Sequence, residues 1–154
     1  EANLVIVGKE GWKGLPELAR RDIPATIERL RSHSELDRRL YFLEGISDEY
    51  LEKVYGASTC LIAASYGEGF GLPLVEAAQH ELPIIARDIP VFREVAGEHA
   101  FYFEGLNAND LAASVREWLA LHAEGRHPIS AGMSWLSWKD SAAQLRSALL
   151  GAGN

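Results

Sequence analysis

The chain has 154 residues, 47% of them hydrophobic and 24% charged, a composition that fits a globular domain and excludes disordered and fibrous proteins. With 15 basic and 22 acidic residues, its net charge of -7 argues against a nucleic-acid partner, because binding a phosphate backbone needs an excess of Lys and Arg on one face. The single Cys60 excludes an internal disulfide and a multi-cysteine zinc site, and fits the reducing cytoplasm.

The start of the chain, EANLVIVGKE, has neither the basic region nor the cleavage site of a signal peptide. No apolar run approaches the roughly 18 residues of a membrane span, so we expect a cytoplasmic protein with at most peripheral contact to the inner face of a membrane. An apolar strand pattern begins within three residues of the first position. We therefore expect the chain to be a fragment of a longer protein.

Five short apolar runs alternate with helical patterns along the chain. Each run is continuous, which is typical of strands covered on both faces of a parallel sheet. The runs are LVIV (4–7), LYFL (40–43), CLIAA (60–64), PIIA (83–86) and AFYF (100–103). The alternation predicts an α/β fold, a Rossmann-like doubly wound parallel sheet closed by C-terminal helices.

Apolar residues at helical spacing predict the helices. One helix has Pro24 in its first turn, and three others begin behind Ser47, Asn109 and Ser137, each a favourable N-cap. The last of these is a C-terminal helix over 137–150.

The weakly patterned segment 121–134 predicts a loop before the last helix. The tryptophans of this region, Trp118, Trp135 and Trp138, fit helix packing better than a sugar platform.

The segment YGEGFGLPLVEAA (66–78) follows the third run, and ligands bind beyond the carboxyl ends of parallel strands. Its three glycines let the backbone turn and approach a ligand, and the helix that begins at Leu72 offers N–H groups to a diphosphate. The carboxylates of Glu68 and Glu76 suit the hydroxyls of a nucleotide sugar. Glycine-rich turns and glutamates in first helical turns are also common for structural reasons alone, so the spacing by itself leaves both interpretations open.

The segment EGFGLPLVE closely resembles the Glu-x7-Glu signature of retaining glycosyltransferases of family four, which have the two-domain GT-B fold. The similarity extends from Leu4 to about Asn109 through ELPIIARDIPVFREVAG, and the closing SWKDSA stands in its usual place. The resemblance implies that residues 1–154 are the donor-binding, C-terminal half of an enzyme that moves a hexose from a nucleotide diphosphate sugar to a glycan or lipid-linked acceptor. The resemblance of GKEGW points to a mannosyltransferase of bacterial surface polysaccharide.

The resemblance also assigns roles to residues. Glu68 would contact the donor sugar as the catalytic residue, without being a covalent nucleophile, and Glu76 would bind the ribose. The amides of Phe70, Gly71 and Leu72 would hold the diphosphate and sugar. The other donor-binding candidates are Gly69 and, in the preceding loops, Gly8, Gly45, Ile46 and Ser47. The sequence has no Asp-x-Asp pair, so we expect neither metal nor cofactor, with GDP-mannose as the expected donor.

Two departures from the family stand out. Family members carry an earlier strand and helix, with an Arg and a Lys that neutralise the diphosphate, and an N-terminal acceptor domain before that. Neither is in this sequence, so we expect a further segment or another chain to complete the sheet. A smaller departure is Glu81, which stands where the family often has a glycine and needs either a left-handed backbone conformation or a different helix cap.

Structural roles are expected for the remaining polar residues. The histidines lack ligand spacing and fit surface or packing positions, namely His33, His80, His99, His122 and His127. Lys9 and Lys13, around Trp12, fit a solvated loop, and Arg87 and Glu94 fit local ion pairs.

Two other functions stay open. One is a non-catalytic module, derived from such a domain, that binds a nucleotide sugar or a partner. The other is a sugar-nucleotide epimerase of the same fold, although its loops should be richer in His and Arg. The intact pair Glu68 and Glu76 favours the transferase over the binding module.

Overall fold

The computed structural model describes residues 2–8 and 23–151 of the chain. Within them, strands and helices alternate as the apolar runs predict. The strands are β1 Leu4–Val7, β2 Leu40–Leu43, β3 Leu61–Ala63, β4 Ile84–Arg87 and β5 Phe101–Phe103. The helices are α1 Ile23–Arg31, α2 Asp48–Ala57, α3 Leu72–Gln79, α4 Pro90–Ala96, α5 Ala108–Ala123 and α6 Trp138–Leu150, and a 3₁₀ turn covers Ser130–Gly132.

The chain forms two compact units, and the first extends to Lys53 within α2. Its sheet consists of β1 and β2, which run parallel with Leu4 opposite Leu40. The predicted burial is wrong for β1, because the side chains of Leu4, Val5 and Val7 are 47%, 39% and 39% exposed. The described part of this unit packs β1 chiefly against β2, which leaves the faces of β1 accessible.

The second unit, from Val54 onward, contains a parallel sheet in the order β3, β4, β5. The middle strand β4 is buried throughout. Its Ile85 packs with Phe103 of β5 and Trp118 of α5 in one core cluster, and the helices α3 and α4 bury Leu74 and Phe92. A continuous apolar run such as β4 therefore lies where two neighbouring strands and packed helices cover it.

The α/β fold with parallel strands and a helical C-terminal segment is confirmed. The described strands form a two-stranded and a three-stranded sheet. Both sheets are parallel, as continuous apolar runs indicate.

Two of the three predicted N-caps are confirmed. The hydroxyls of Ser47 and Ser137 accept hydrogen bonds from backbone N–H groups at the starts of α2 and α6. The cap of α5 is Asn107 and not the predicted Asn109, because the Asn107 side chain accepts from the N–H groups of Asn109 and Asp110 at 2.9 and 3.1 Å. Asn suits an N-cap at either position, so the path of the chain after β5 decides between them.

Of the three tryptophans among residues 23–151, one is buried and two are exposed. Trp118 is 1% exposed, as predicted for helix packing, whereas Trp135 and Trp138 are 47% and 82% exposed, so that prediction is wrong for these two. The structure describes no buried side chain on α6, and no helix in the described part of the chain is long and apolar enough to cross a bilayer. The predicted loop 121–134 is partly helical, since α5 runs through Ala123 and the 3₁₀ turn follows.

Cys60 precedes β3 and packs against the core cluster of the second unit. Burial raises the pKa of its thiol to about 11. Because the thiolate is the nucleophile, we expect iodoacetamide to label native Cys60 slowly at about pH 8, and faster as the pH approaches the raised pKa. Mass spectrometry of the native and urea-unfolded protein measures the two rates, and equal rates would contradict a shielded thiol.

Candidate functional site

The loop between β3 and α3, in the second unit, carries the predicted motif. Gly71 is the N-cap of α3 with φ 90° and ψ 46°, and no side chain caps this helix. A Cβ at Gly71 would lie 2.9 Å from Cε1 of Phe92, so both the left-handed backbone and the space require glycine. Gly67 and Gly69 have no positive φ, and a Cβ at either residue would have open space around it, so of the three glycines only Gly71 is required by the turn.

Three backbone N–H groups stand at the start of α3. Those of Phe70, Gly71 and Leu72 donate to no acceptor within the described residues. They lie at the positive end of the helix dipole, where an anion is favoured. The side chains of Phe70 and Leu72 are 55% and 46% exposed, so the surface around the amides is open to a ligand.

Glu68 lies in the same loop and is exposed. Its Oε1 accepts a hydrogen bond from the Ser65 hydroxyl at 2.6 Å. Sequence reasoning did not single out Ser65, although a hydroxyl three residues before a loop carboxylate is a usable signal for such a local bond.

Glu76 lies in α3, one turn after the helix start, and is half-buried. Its Oε2 accepts a hydrogen bond from the Tyr55 hydroxyl at 2.7 Å. The helical pattern of α2 indicates that Tyr55 belongs to the apolar face, but no feature of the sequence links it to a residue 21 positions later. Each carboxylate of the motif is thus held by one hydroxyl from outside the motif.

Arg87 ends β4 and is only 8% exposed. The predicted ion pair is wrong for this residue, because its guanidinium donates to the carbonyls of Ala64, at 3.2 Å, and Gly105. It also stands 4.6 Å from the centre of the Tyr66 ring, a cation–π contact. These partners belong to the segments after β3 and β5. Arg87 therefore connects the loop of the motif, which follows β3, to the segment that follows β5.

The remaining donor-binding candidates lie in the first unit, after its two strands. Gly8 follows β1, and its N–H donates to the carbonyl of Leu43 at 3.1 Å. Gly45 follows β2 with φ 64°, Ile46 is half-buried and Ser47 caps α2. These residues stand at the carboxyl ends of two paired parallel strands, and their contact with a ligand stays a prediction. Lys9, Trp12 and Lys13 lie outside the described residues.

The other expectations concern Glu81 and the histidines. Glu81 has φ 54°, so of the two expected alternatives the left-handed conformation is the one present after α3. His122 and His127 pack against Trp118, with ring centres 4.9 and 5.8 Å away, so packing is confirmed for both. In the part of the chain that the structure describes, no three His, Cys, Asp or Glu side chains converge as metal ligands.

Two concave surfaces of the described residues lie elsewhere. One follows α6 from Lys139 to Gly151, and the other lies beside Gly105 and Asp110. Neither includes residues of the motif, which lies at the start of α3. Its amides suit an anion, and its two carboxylates suit hydroxyl groups.

Residues 1–134 match the family model described as glycosyl transferases group 1. The serotype-specific mannosyltransferase WbdA of Escherichia coli is 51% identical over 140 residues, which are 91% of this chain and 16% of WbdA. The O-antigen chain mannosyltransferase RfbU of Salmonella typhimurium is 35% identical over 83 residues, which are 54% of this chain and 24% of RfbU. The chain therefore spans less than a quarter of the length of either curated relative.

The fold has counterparts among solved structures. The crystal structure of a glycosyltransferase from Rickettsia africae superposes with a TM-score of 0.68 at 18% identity, covering 99% of this chain and 41% of the other. At this identity the likeness establishes the fold alone, and it confirms the fold that the resemblance implied.

Proposed function

The chain belongs to the family of group 1 glycosyl transferases, and from that membership we propose that it holds the nucleotide-sugar donor of a retaining hexosyltransferase. The observation that carries the proposal is the start of α3. There the N–H groups of residues 70–72 are left without acceptors in the described residues, and Glu68 and Glu76 stand before and after them in the chain. Amides at a helix start suit a diphosphate, and carboxylates suit the hydroxyls of two sugars.

The chemistry assigns a task to each group. When the bond from C1 of the donor sugar to the diphosphate breaks, its electrons leave with the diphosphate and the sugar becomes oxocarbenium-like. The amides stabilise the leaving diphosphate, and Glu68 offsets the positive charge on the sugar. The acceptor hydroxyl bonds to C1 from the same face and passes its proton to the departing diphosphate, so the configuration is retained without a covalent bond to Glu68. Glu76 holds the ribose.

We assign no metal or cofactor to this reaction. The amides and the dipole of α3 take the place that magnesium has in enzymes that bind it through an Asp-x-Asp pair, which this sequence lacks. The loops with Gly8, Ile46 and Ser47 are assigned to the nucleotide.

The relatives support a choice of sugar. WbdA and RfbU are named as mannosyltransferases, and RfbU as one of the O-antigen chain. We assign mannose as the sugar, GDP-mannose as the donor and a glycan or lipid-linked acceptor of surface polysaccharide. The reaction belongs in the cytoplasm, at most peripherally on the inner face of the membrane.

Acceptor binding is assigned to other parts of the complete protein, since the chain spans 16% of WbdA. Within the described residues, β1 pairs with β2 alone and β3 with β4 alone, so each has an edge that could accept a strand. A further segment or another chain is assigned to these edges, together with the cations that neutralise the diphosphate.

Thermal unfolding of the complete protein with GDP-mannose, UDP-glucose and ADP-glucose tests the proposal. A ligand that binds only the folded state adds about 2.7 kcal/mol of stability at 100 times its Kd, so we expect GDP-mannose to raise Tm the most. Glu76→Gln should remove most of this shift. The exposed Glu117→Gln on α5, which changes the same charge, should retain it.

The proposal would be overturned if none of the three sugar nucleotides shifted Tm, or if Glu76→Gln kept the full shift. A shift with GDP-mannose but no transfer to an acceptor would favour the alternative of a binding module without catalysis.

A further inference from the structure

Tyr55 is a side chain of α2 that reaches the candidate site from the core of the second unit. It is 8% exposed, and its hydroxyl donates to Oε2 of Glu76 at 2.7 Å. We propose that Tyr55 is a positioning residue that fixes the Glu76 carboxylate for recognition of the ribose hydroxyls. This inference rests on the proposed function and names the group that makes the site selective for ribose over deoxyribose.

Two contacts hold Tyr55 on one face of α3. Glu76 and His80 are four residues apart, so they lie above one another on the same side of the helix end. The Tyr55 ring stacks on the His80 ring with 5.4 Å between centres and 16° between planes, while its hydroxyl reaches Glu76. A ring held at its face and at its hydroxyl has little freedom to move away from the carboxylate.

The hydrogen bond divides the two oxygens of Glu76 between protein and ligand. Oε2 is engaged by Tyr55, and Oε1 accepts no hydrogen bond from any described residue. Without the tyrosine, the Glu76 carboxylate would rotate freely about its χ3 torsion. It would then lose this conformational freedom only when the ligand binds, which costs binding free energy. Because a hydroxyl bound to a charged acceptor makes a strong hydrogen bond, and Glu76 is half-buried, Tyr55 orders the carboxylate beforehand.

A tyrosine that only fills space would give a different result. Its burial and its ring stacking need no hydroxyl, so Phe would serve the packing equally well. Loss of packing lowers the stability of the protein and weakens the binding of all ligands to a similar extent. Loss of positioning weakens the binding only of those ligands that carry the hydroxyls that Glu76 recognises.

The experiment compares ribonucleotides with their deoxy counterparts on the complete protein. Kd is measured by calorimetry for GDP, UDP and ADP and for the three 2′-deoxy forms, and the ratio of deoxy to ribo Kd is taken for the base that binds tightest. We expect Tyr55→Phe to raise the Kd of the ribonucleotide about tenfold and the Kd of the deoxynucleotide less than about twofold, so that the ratio falls. This is the effect that loss of one charge-assisted hydrogen bond predicts. Tyr50→Phe, an exposed tyrosine of the same helix, is the matched control and should keep the wild-type ratio.

A double-mutant cycle separates the two proposals. If Tyr55 acts through Glu76, then Tyr55→Phe should no longer change the ratio in a Glu76→Gln background. A wild-type ratio in Tyr55→Phe together with a reduced ratio in Glu76→Gln overturns the role of Tyr55 and leaves the proposed function intact. A wild-type ratio in Glu76→Gln overturns both.

A second variant keeps the test decisive should Tyr55→Phe fail to fold. His80→Ala removes the ring that orients Tyr55 and leaves both the hydroxyl and the carboxylate in place. We expect the ratio to fall about threefold in this variant, a smaller loss than that from Tyr55→Phe because the hydrogen bond itself is retained. An unchanged ratio in a folded His80→Ala protein would contradict positioning through this contact.

Discussion

Replacing Glu68 by Gln is expected to lower kcat for sugar transfer about 100-fold in the complete protein, with a much smaller change in KM for the donor. The magnitude is that of removing one preorganised electrostatic contact to a transition state. Gln has nearly the same shape as Glu, and its side-chain oxygen still accepts the hydrogen bond that Ser65 donates to Glu68. The variant therefore removes chiefly the negative charge that offsets the developing positive charge on the sugar.

Steady-state transfer of radiolabelled mannose from GDP-mannose measures this effect, and a Tm shift with GDP measures binding separately. Glu117→Gln again provides the control for charge. A kcat within about threefold of wild type would show that Glu68 takes no part in the transition state, since a true loss of charge stabilisation is far larger. A raised KM with an unchanged kcat would instead assign Glu68 to binding that the ground state and the transition state share.

Gly71→Ala is expected to lower the free energy of unfolding by about 2 to 5 kcal/mol. A left-handed backbone costs a residue with a Cβ about 1 to 2 kcal/mol, and an additional methyl group in a packed site costs about 1 to 3 kcal/mol. Both apply here, because Gly71 has φ 90° and its Cβ would approach the Phe92 ring to 2.9 Å. Phe92 is itself 1% exposed, so the ring has little room to withdraw.

Urea denaturation of the complete protein measures this loss, and Gly67→Ala in the same loop is the matched control. Gly67 lacks a positive φ and has open space around a Cβ, so its substitution should change the free energy of unfolding by less than about 0.5 kcal/mol. Equal stability of the two variants would contradict the geometry assigned to Gly71. Gly71→Ala should also weaken the binding of GDP-mannose, because a shifted start of α3 moves the amides of Phe70 and Leu72.

Local pattern predicted the order and type of the elements well. The run PIIA at 83–86 predicted β4, which the structure places at Ile84–Arg87, and the helix predicted to begin at Leu72 is α3. The same local signals erred where the surroundings decide. Trp138 fits an apolar helical face by spacing, yet it is 82% exposed, because spacing does not reveal whether another element covers that face.

The residues of the candidate site also fall into those that the local sequence indicates and those that only the packing decides. The motif residues Glu68, Gly71 and Glu76 were identified from their own neighbourhood, since a left-handed turn and a helix start depend on a few consecutive residues. The two residues that hold the carboxylates differ in how far the sequence indicates them. Ser65 is close in the chain and left a weak signal, while Tyr55 left none.

The sequence by itself thus determined the alternation of strands and helices, the family, and the helix start with its two acids, because these depend on composition and on spacing over a few residues. Only the tertiary structure decided that Tyr55 meets Glu76, 21 residues away, and that Arg87 bonds to the carbonyl of Gly105, 18 residues away, and to no carboxylate of the described residues. The physical reason is that such contacts arise from the packing of separate elements. The same hydroxyl or guanidinium could have found other partners under a different packing.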